Sequence, residues 1–133
     1  MMDELVPREY WAEFCERFTH QHHGWLATLE EQAVRSAAGG GMIGGPGALL
    51  EFRGLRLAEE AGREVLYLTA TGQGGEDHTS TVYYPVRLTF KKADDGAHSG
   101  VRVDGRNGER LVLRFRVPAL PEALNGLMAN SAK

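Results

Sequence analysis

The chain has 133 residues, a formal net charge of −3, 42% hydrophobic residues and 25% charged residues. This composition is typical of a globular protein and excludes wholesale disorder. No apolar run approaches the roughly 20 residues of a membrane-spanning helix, so we expect one soluble domain over residues 1–133 and no membrane partner.

The beginning of the chain and its single cysteine both bear on location. Residues 1–8 contain neither the basic segment nor the apolar segment of a secretory signal. Cys15 is the only cysteine in the sequence, so the chain can form neither an internal disulfide nor a CxxC zinc site. These features favour a reducing compartment, and we expect a cytoplasmic protein.

Charge is unevenly distributed along the chain. Residues 1–77 contain 6 basic and 13 acidic side chains, whereas residues 78–133 contain 9 basic and 5 acidic ones. Such an asymmetry can mark a basic binding face. However, the sequence pI of about 5.9 is well below that of most nucleic-acid-binding domains, so a nucleic acid is not the partner we expect.

The first predicted element is a helix from about Pro7 to His20. Its aromatic and thiol side chains recur at intervals of three and four residues, which places them on one stripe that must pack against something. The stripe consists of Trp11, Phe14, Cys15 and Phe18. Alternating residues from Trp25 to about Ala33 then predict a strand, and the glycine-rich segment 39–47 predicts a flexible loop.

The rest of the chain is rich in predicted strands. Gly54 disturbs the alternation of its strand and predicts a bulge or a bend, while Pro85 predicts a kink or an edge position. Asn107 and Gly108 form the strongest hairpin signal. Pro118 is expected to end the last strand. The predicted strands are 49–58, 64–71, about 82–91, about 101–104 and 111–117.

These elements predict an α+β domain. An N-terminal helix packs on a curved, mainly antiparallel sheet or partial barrel of about six strands. A short C-terminal helix is predicted to start at Pro121 and to reach Leu124. Short hairpins between successive strands make neighbours antiparallel.

Sequence motifs for common catalytic sites are missing. There is no G-x-S-x-G nucleophile elbow and no G-x-x-x-x-G-K-[ST] phosphate loop. Cys15 lies on the apolar stripe, where a thiol behaves as a small hydrophobic side chain. We therefore assign no catalytic residue and expect no bound cofactor.

Histidines supply the strongest chemical signal. His20, His22 and His23 lie between the helix and the first strand, and His78 precedes a later strand. With His78 or Asp77 they could ligate a metal, but their spacing suits neither one face of a helix nor one face of a strand. The other interpretation is a solvated polar turn.

A second candidate site is a basic face on the sheet. Arginines at outward positions of the predicted strands would form it, together with Lys91, and could contact phosphates or an acidic protein. The alternative is ion pairing with Asp104 and Glu109. The arginines of this basic face are Arg87, Arg102, Arg114 and Arg116.

The segment from Trp11 to Trp25 has the form W-x-x-F-x-x-x-F-[ST]-x-x-H-x-G-W. It resembles the opening of an uncharacterised bacterial family of short, β-rich proteins of unknown function. Residues 78–87 and 108–115 are similar to the middle and end of that family. The resemblance implies no activity. It singles out His22 and His78, but not His20 or His23, and the 39–47 loop would be an insertion.

Three functions remain open from the sequence. The first is a non-catalytic binding or assembly module with an unknown partner, including a second copy of the chain. The second is a small metal- or histidine-dependent enzyme that uses His22 and His78. The third is nucleic-acid binding on the basic face.

Overall fold

A computed structural model of the protein describes residues 3–32, 41–43, 48–93 and 96–119. Within these ranges the chain forms one α-helix, α1, directly preceded by a 3-10 turn, and nine β-strands. The 3-10 turn is Arg8–Tyr10 and α1 is Trp11–His22. The strands are β1 Glu4–Leu5, β2 Leu26–Gln32, β3 Gly41–Met42, β4 Leu50–Glu60, β5 Arg63–Thr71, β6 Asp77–Tyr83, β7 Pro85–Lys92, β8 His98–Gly105 and β9 Arg110–Ala119.

The nine described strands form one antiparallel sheet. Eight follow the order β1-β7-β8-β9-β2-β4-β5-β6, and β3 pairs with β2 beside this path. The sheet does not close, because β1 and β6 are its two ends. The predicted α+β class and antiparallel pairing are therefore confirmed, whereas the prediction of about six strands is wrong.

The extra strands have local causes. Tyr84 has φ +52°, which interrupts the single strand predicted over 82–91 and divides it into β6 and β7. β1 and β3 are only two residues long, too short to leave a periodic pattern in the sequence. β3 lies within the predicted 39–47 loop, and most of that loop lies outside the described residues.

The end of the chain also differs from expectation. β9 continues through Pro118 to Ala119, and Ala119 pairs with His98. The prediction that Pro118 ends the strand is therefore wrong. The predicted helix from Pro121 to Leu124 lies outside the described residues.

The bulge predicted at Gly54 is confirmed. The register between β4 and β5 shifts between Phe52 and Gly54. At this point β4 has one residue more than β5. Phe52 and Leu55 therefore both face the core although they are three positions apart, and both are buried. At Pro85, where a kink or an edge position was predicted, the register between β7 and β8 shifts between Pro85 and Arg87.

Helix α1 lies beside β4 where β2 has separated from that strand. β2 and β4 pair only at two positions, Leu26 with Glu51 and Ala27 with Leu50. Further along β4, the hydroxyl of Thr19 accepts a hydrogen bond from the Leu55 N–H (2.8 Å) and donates one to the Leu55 carbonyl (3.0 Å). The helix thus satisfies backbone groups that a neighbouring strand would otherwise pair.

The buried stripe of α1 packs into an aromatic core. Trp11, Cys15 and Phe18 are buried, as predicted, and Phe14 is partly buried against the same core. His22 extends the stripe by one turn and is also buried. Phe18 is central, with its ring centroid between 5.3 and 5.9 Å from those of four other phenylalanines: Phe14, Phe52, Phe90 and Phe115.

Phe18→Ala is expected to lower the free energy of unfolding by about 3–5 kcal/mol, because it leaves a cavity among four aromatic rings. Urea denaturation followed by circular dichroism measures the change. Arg17→Ala, at the exposed neighbouring position, is the control and should cost less than about 1 kcal/mol. Equal effects of the two substitutions would show that α1 is not docked through Phe18.

Candidate functional site

His22 and His98 form a buried pair between the end of α1 and the start of β8. Their exposed fractions are 0% and 6%. His22 Nδ1 lies 2.8 Å from the carbonyl oxygen of Phe18, which can only accept, so this nitrogen holds the proton. His22 Nε2 then accepts a hydrogen bond from His98 Nδ1 at 3.0 Å.

Burial favours the neutral form of both imidazoles in this pair. Loss of hydration lowers the pKa of His22 to about 4, against the opposing effect of its bond to Phe18. Burial also lowers the pKa of His98, and the nearby Lys92 ammonium lowers it further. The His22 ring also packs on Phe115, with centroids 4.8 Å apart. These contacts indicate a structural role for the pair.

His78 lies in a different environment, on the terminal strand β6. Its Nε2 is 3.1 Å from Glu31 Oε2. Ser80, on the same inner face of β6, donates its hydroxyl to the same carboxylate oxygen. Glu31 and Ser80 are both buried, and a carboxylate removed from water needs such donors. This contact joins β2 to β6 although β4 and β5 lie between them in the sheet, so the sheet is strongly curved.

The structure does not bring His22 and His78 together. His22 packs on Phe115, which pairs with Ala27 near the start of β2. His78 bonds to Glu31, near the end of the same strand. Four residues along a strand correspond to about 13 Å. The two histidines named by the sequence therefore belong to two separate buried clusters.

Sequence reasoning missed His98, Glu31 and Ser80. The inward position of Glu31 could have been predicted from the sequence. Glu31 alternates along β2 with Ala27 and Leu29, which are both buried on the inner face of that strand. The burial of His98 could not have been predicted in this way. The register shift between His98 and Gly100 reverses the inward and outward alternation that Val101 defines for β8.

Part of the predicted basic face is paired with neighbouring carboxylates. Arg102 Nε lies 3.1 Å from Asp104 Oδ2, and Arg110 Nε lies 3.2 Å from Asp104 Oδ1. Arg114 approaches Glu30 at 3.7 Å. Arg102 therefore forms an ion pair with Asp104, as the alternative interpretation predicted.

Lys91, which also belongs to the predicted face, lies 3.2 Å from Asp3 Oδ2 through its Nζ. Arg87 and Arg116 complete the face, and both are exposed. Arg87 is opposite Asp104 in the register between β7 and β8. Across the part of the chain that the structure describes, no ion pair involves Arg87 or Arg116. These two side chains do not by themselves make a continuous basic surface.

An open groove of about 880 Å³ lies between α1 and strands β4 to β6. No local sequence pattern predicts this groove, because it forms where α1 meets β4 near the bulge at Gly54. Its apolar lining comes from Ala12, Cys15, Leu55 and Leu57. Its polar lining comes from both walls: Glu16 and Thr19 on α1, and Arg53, Arg56, Tyr67, Thr69 and Thr79 on the strands.

The thiol of Cys15 at this groove is not suited to nucleophilic chemistry. Burial raises its pKa to about 12. The thiolate is the reactive form of cysteine, so near neutral pH Cys15 contributes apolar surface to the groove.

No protein-family model, curated protein or solved structure matches the chain. The resemblance of the Trp11 to Trp25 segment to an uncharacterised bacterial family therefore stays a prediction. Among the described residues, no helix has the length and apolar character needed to cross a membrane. Over the same residues, no group of three or more His, Cys, Asp and Glu side chains is placed to hold a metal ion.

Lowering the pH from about 6.5 to about 4 is expected to destabilise the protein. In this range the unfolded chain binds a proton at His22 that the folded chain excludes, so the contribution of His22 is fully present above about pH 6.5. Its loss amounts to about 3 kcal/mol. Urea denaturation at several pH values measures the free energy of unfolding.

His22→Phe should reduce this pH dependence, whereas His23→Gln, at an exposed neighbouring position, should retain it. An NMR titration of the imidazole resonances provides a direct check. Titration of His22 in the folded protein near pH 6.5, its ordinary value, would contradict the neutral buried pair.

Proposed function

We propose that this protein is a non-catalytic binding module whose ligand is a small organic molecule held in the groove between α1 and β4. The single observation that carries the proposal is the groove itself. Its volume of about 880 Å³ falls within the range of small-molecule sites. It also combines an apolar lining with polar side chains on both walls, as such sites do.

The local structure supports a permanent groove. Gly54 has no side chain to fill it, and Arg53 borders it beside the bulge. Ala12 is the shortest side chain on the helix wall. The two hydrogen bonds between Thr19 and Leu55 fix the distance between the walls. A site built on a helix and a sheet loses little conformational entropy on binding.

The two other functions receive less support from the geometry. A histidine-dependent enzyme needs His22 and His78 near a common substrate, and they lie in separate clusters with buried partners. Nucleic-acid binding needs unpaired cations, and Arg102 and Arg114 face carboxylates. Self-association of the chain stays a prediction that the groove neither requires nor opposes.

A fragment screen by two-dimensional amide NMR tests the proposal. Binding fragments should shift the amide resonances of α1 and β4 that border the groove. Ala12→Phe should abolish binding because its ring occupies the groove. Ala12 is exposed, so the substitution should change stability by less than about 1 kcal/mol.

His20→Phe is the matched control, because it adds the same ring to α1 at an exposed position that does not border the groove. It should leave binding unchanged. Fragments that bind Ala12→Phe as tightly as the original protein, or that shift resonances elsewhere, would refute a ligand site in the groove.

A further inference from the structure

The helix wall and the strand wall of the groove carry opposite charges that the fold itself leaves unused. Arg56, on β4, is exposed, and its guanidinium stacks 4.8 Å from the ring centroid of Tyr67. No described carboxylate lies within ion-pair distance of Arg56. Arg53, on the same wall, differs: it donates to Thr71 at 2.9 Å and pairs with Glu51 at 3.1 Å.

Glu16 provides the negative charge, on the helix wall. It is exposed, and no described cation lies within ion-pair distance of it. The carboxylate of Glu13, one turn earlier, pairs with Arg17 at 2.8 Å. Of these two glutamates, the one that borders this groove is thus the one left without a counterion.

Arg56 is also held in place, by the ring of Tyr67 on which it stacks. The hydroxyl of Tyr67 donates to Glu60, which fixes the ring beneath Arg56. Glu60 also accepts a hydrogen bond from Tyr83 at 3.2 Å and approaches Arg63 at 3.6 Å. A planar guanidinium supported on an aromatic ring is a suitable anchor for a carboxylate, which it binds through two parallel hydrogen bonds.

We propose, resting on the proposed function, that the groove binds a small zwitterion with an apolar side chain, such as a free amino acid. Arg56 binds its carboxylate and Glu16 binds its ammonium group. The apolar side chain lies against Ala12 and Leu57, the two apolar side chains of the groove that are not buried. A purely anionic or purely cationic ligand would leave one wall charge without a partner.

Three probes that share a phenyl ring test this assignment. L-phenylalanine has both charges, 3-phenylpropionate has only the carboxylate, and 2-phenylethylamine has only the ammonium group. In amide NMR titrations of the full chain, L-phenylalanine should bind about three- to tenfold more tightly than either singly charged probe. The shifted resonances should be those of α1 and β4 at the groove.

Two charge-removing variants assign each end of the ligand. Arg56→Gln should weaken L-phenylalanine and 3-phenylpropionate by about three- to tenfold and leave 2-phenylethylamine unchanged. Glu16→Gln should weaken L-phenylalanine and 2-phenylethylamine but not 3-phenylpropionate. Arg106→Gln is a matched control, since Arg106 also stacks on a tyrosine, Tyr84, at 3.9 Å but lies outside the groove. Glu13→Gln is the control on α1.

The outcomes separate this inference from the proposed function. If all three probes bind in the groove with equal affinity, or if the two variants do not change affinity, the zwitterion assignment is overturned and the binding function stands. The same conclusion holds if other fragments bind there and none of the three probes does. If neither fragments nor probes shift groove resonances, both proposals fail.

Discussion

The packing of Phe18 into the space between two parts of the sheet is the contact on which the rest of the structure depends. β2 leaves β4 after two paired positions, and α1 takes the place beside β4 that a strand would otherwise occupy. Phe18 lies against rings from β4, β7 and β9, so one side chain connects both parts of the sheet. Burying one such ring contributes about 1.5–3 kcal/mol. The groove lies beside this contact, where Ala12, Glu16 and Thr19 of α1 face β4 to β6.

Two buried polar contacts complete this arrangement at opposite ends of β2. The His22–His98 pair joins the end of α1 to β8, and Glu31 joins β2 to Ser80 and His78 on β6. Hydrogen bonds of this kind add little net stability, but an unmade one in a buried site is costly. They therefore favour one arrangement of helix and sheet over its alternatives. A structural role of this kind explains why these histidine, glutamate and serine side chains lie in the interior and not in the groove.

The sequence predicted features that depend on neighbouring residues and missed those that depend on distant ones. The α1 stripe, the bulge at Gly54 and the Asn107–Gly108 hairpin each follow from a short local pattern, and all three are present. The division of one strand at Tyr84 requires a positive φ that a tyrosine does not signal. The partners of His22 and Glu31 are 76 and 49 residues away along the chain, so no spacing rule finds them. The groove could not be predicted either, because its lining residues come from α1, β4, β5 and β6.

The most direct measurement is a set of nuclear Overhauser effects from the Phe18 ring in the folded protein. The account predicts cross-peaks from this ring to the rings of Phe52 and Phe115, whose centroids lie 5.3 and 5.7 Å away. It also predicts a cross-peak between the Thr19 side chain and the Leu55 amide, whose nitrogen lies 2.8 Å from the Thr19 hydroxyl oxygen. Cross-peaks from Phe18 confined to residues of α1 itself would contradict the account, because the helix would then not be packed against the sheet.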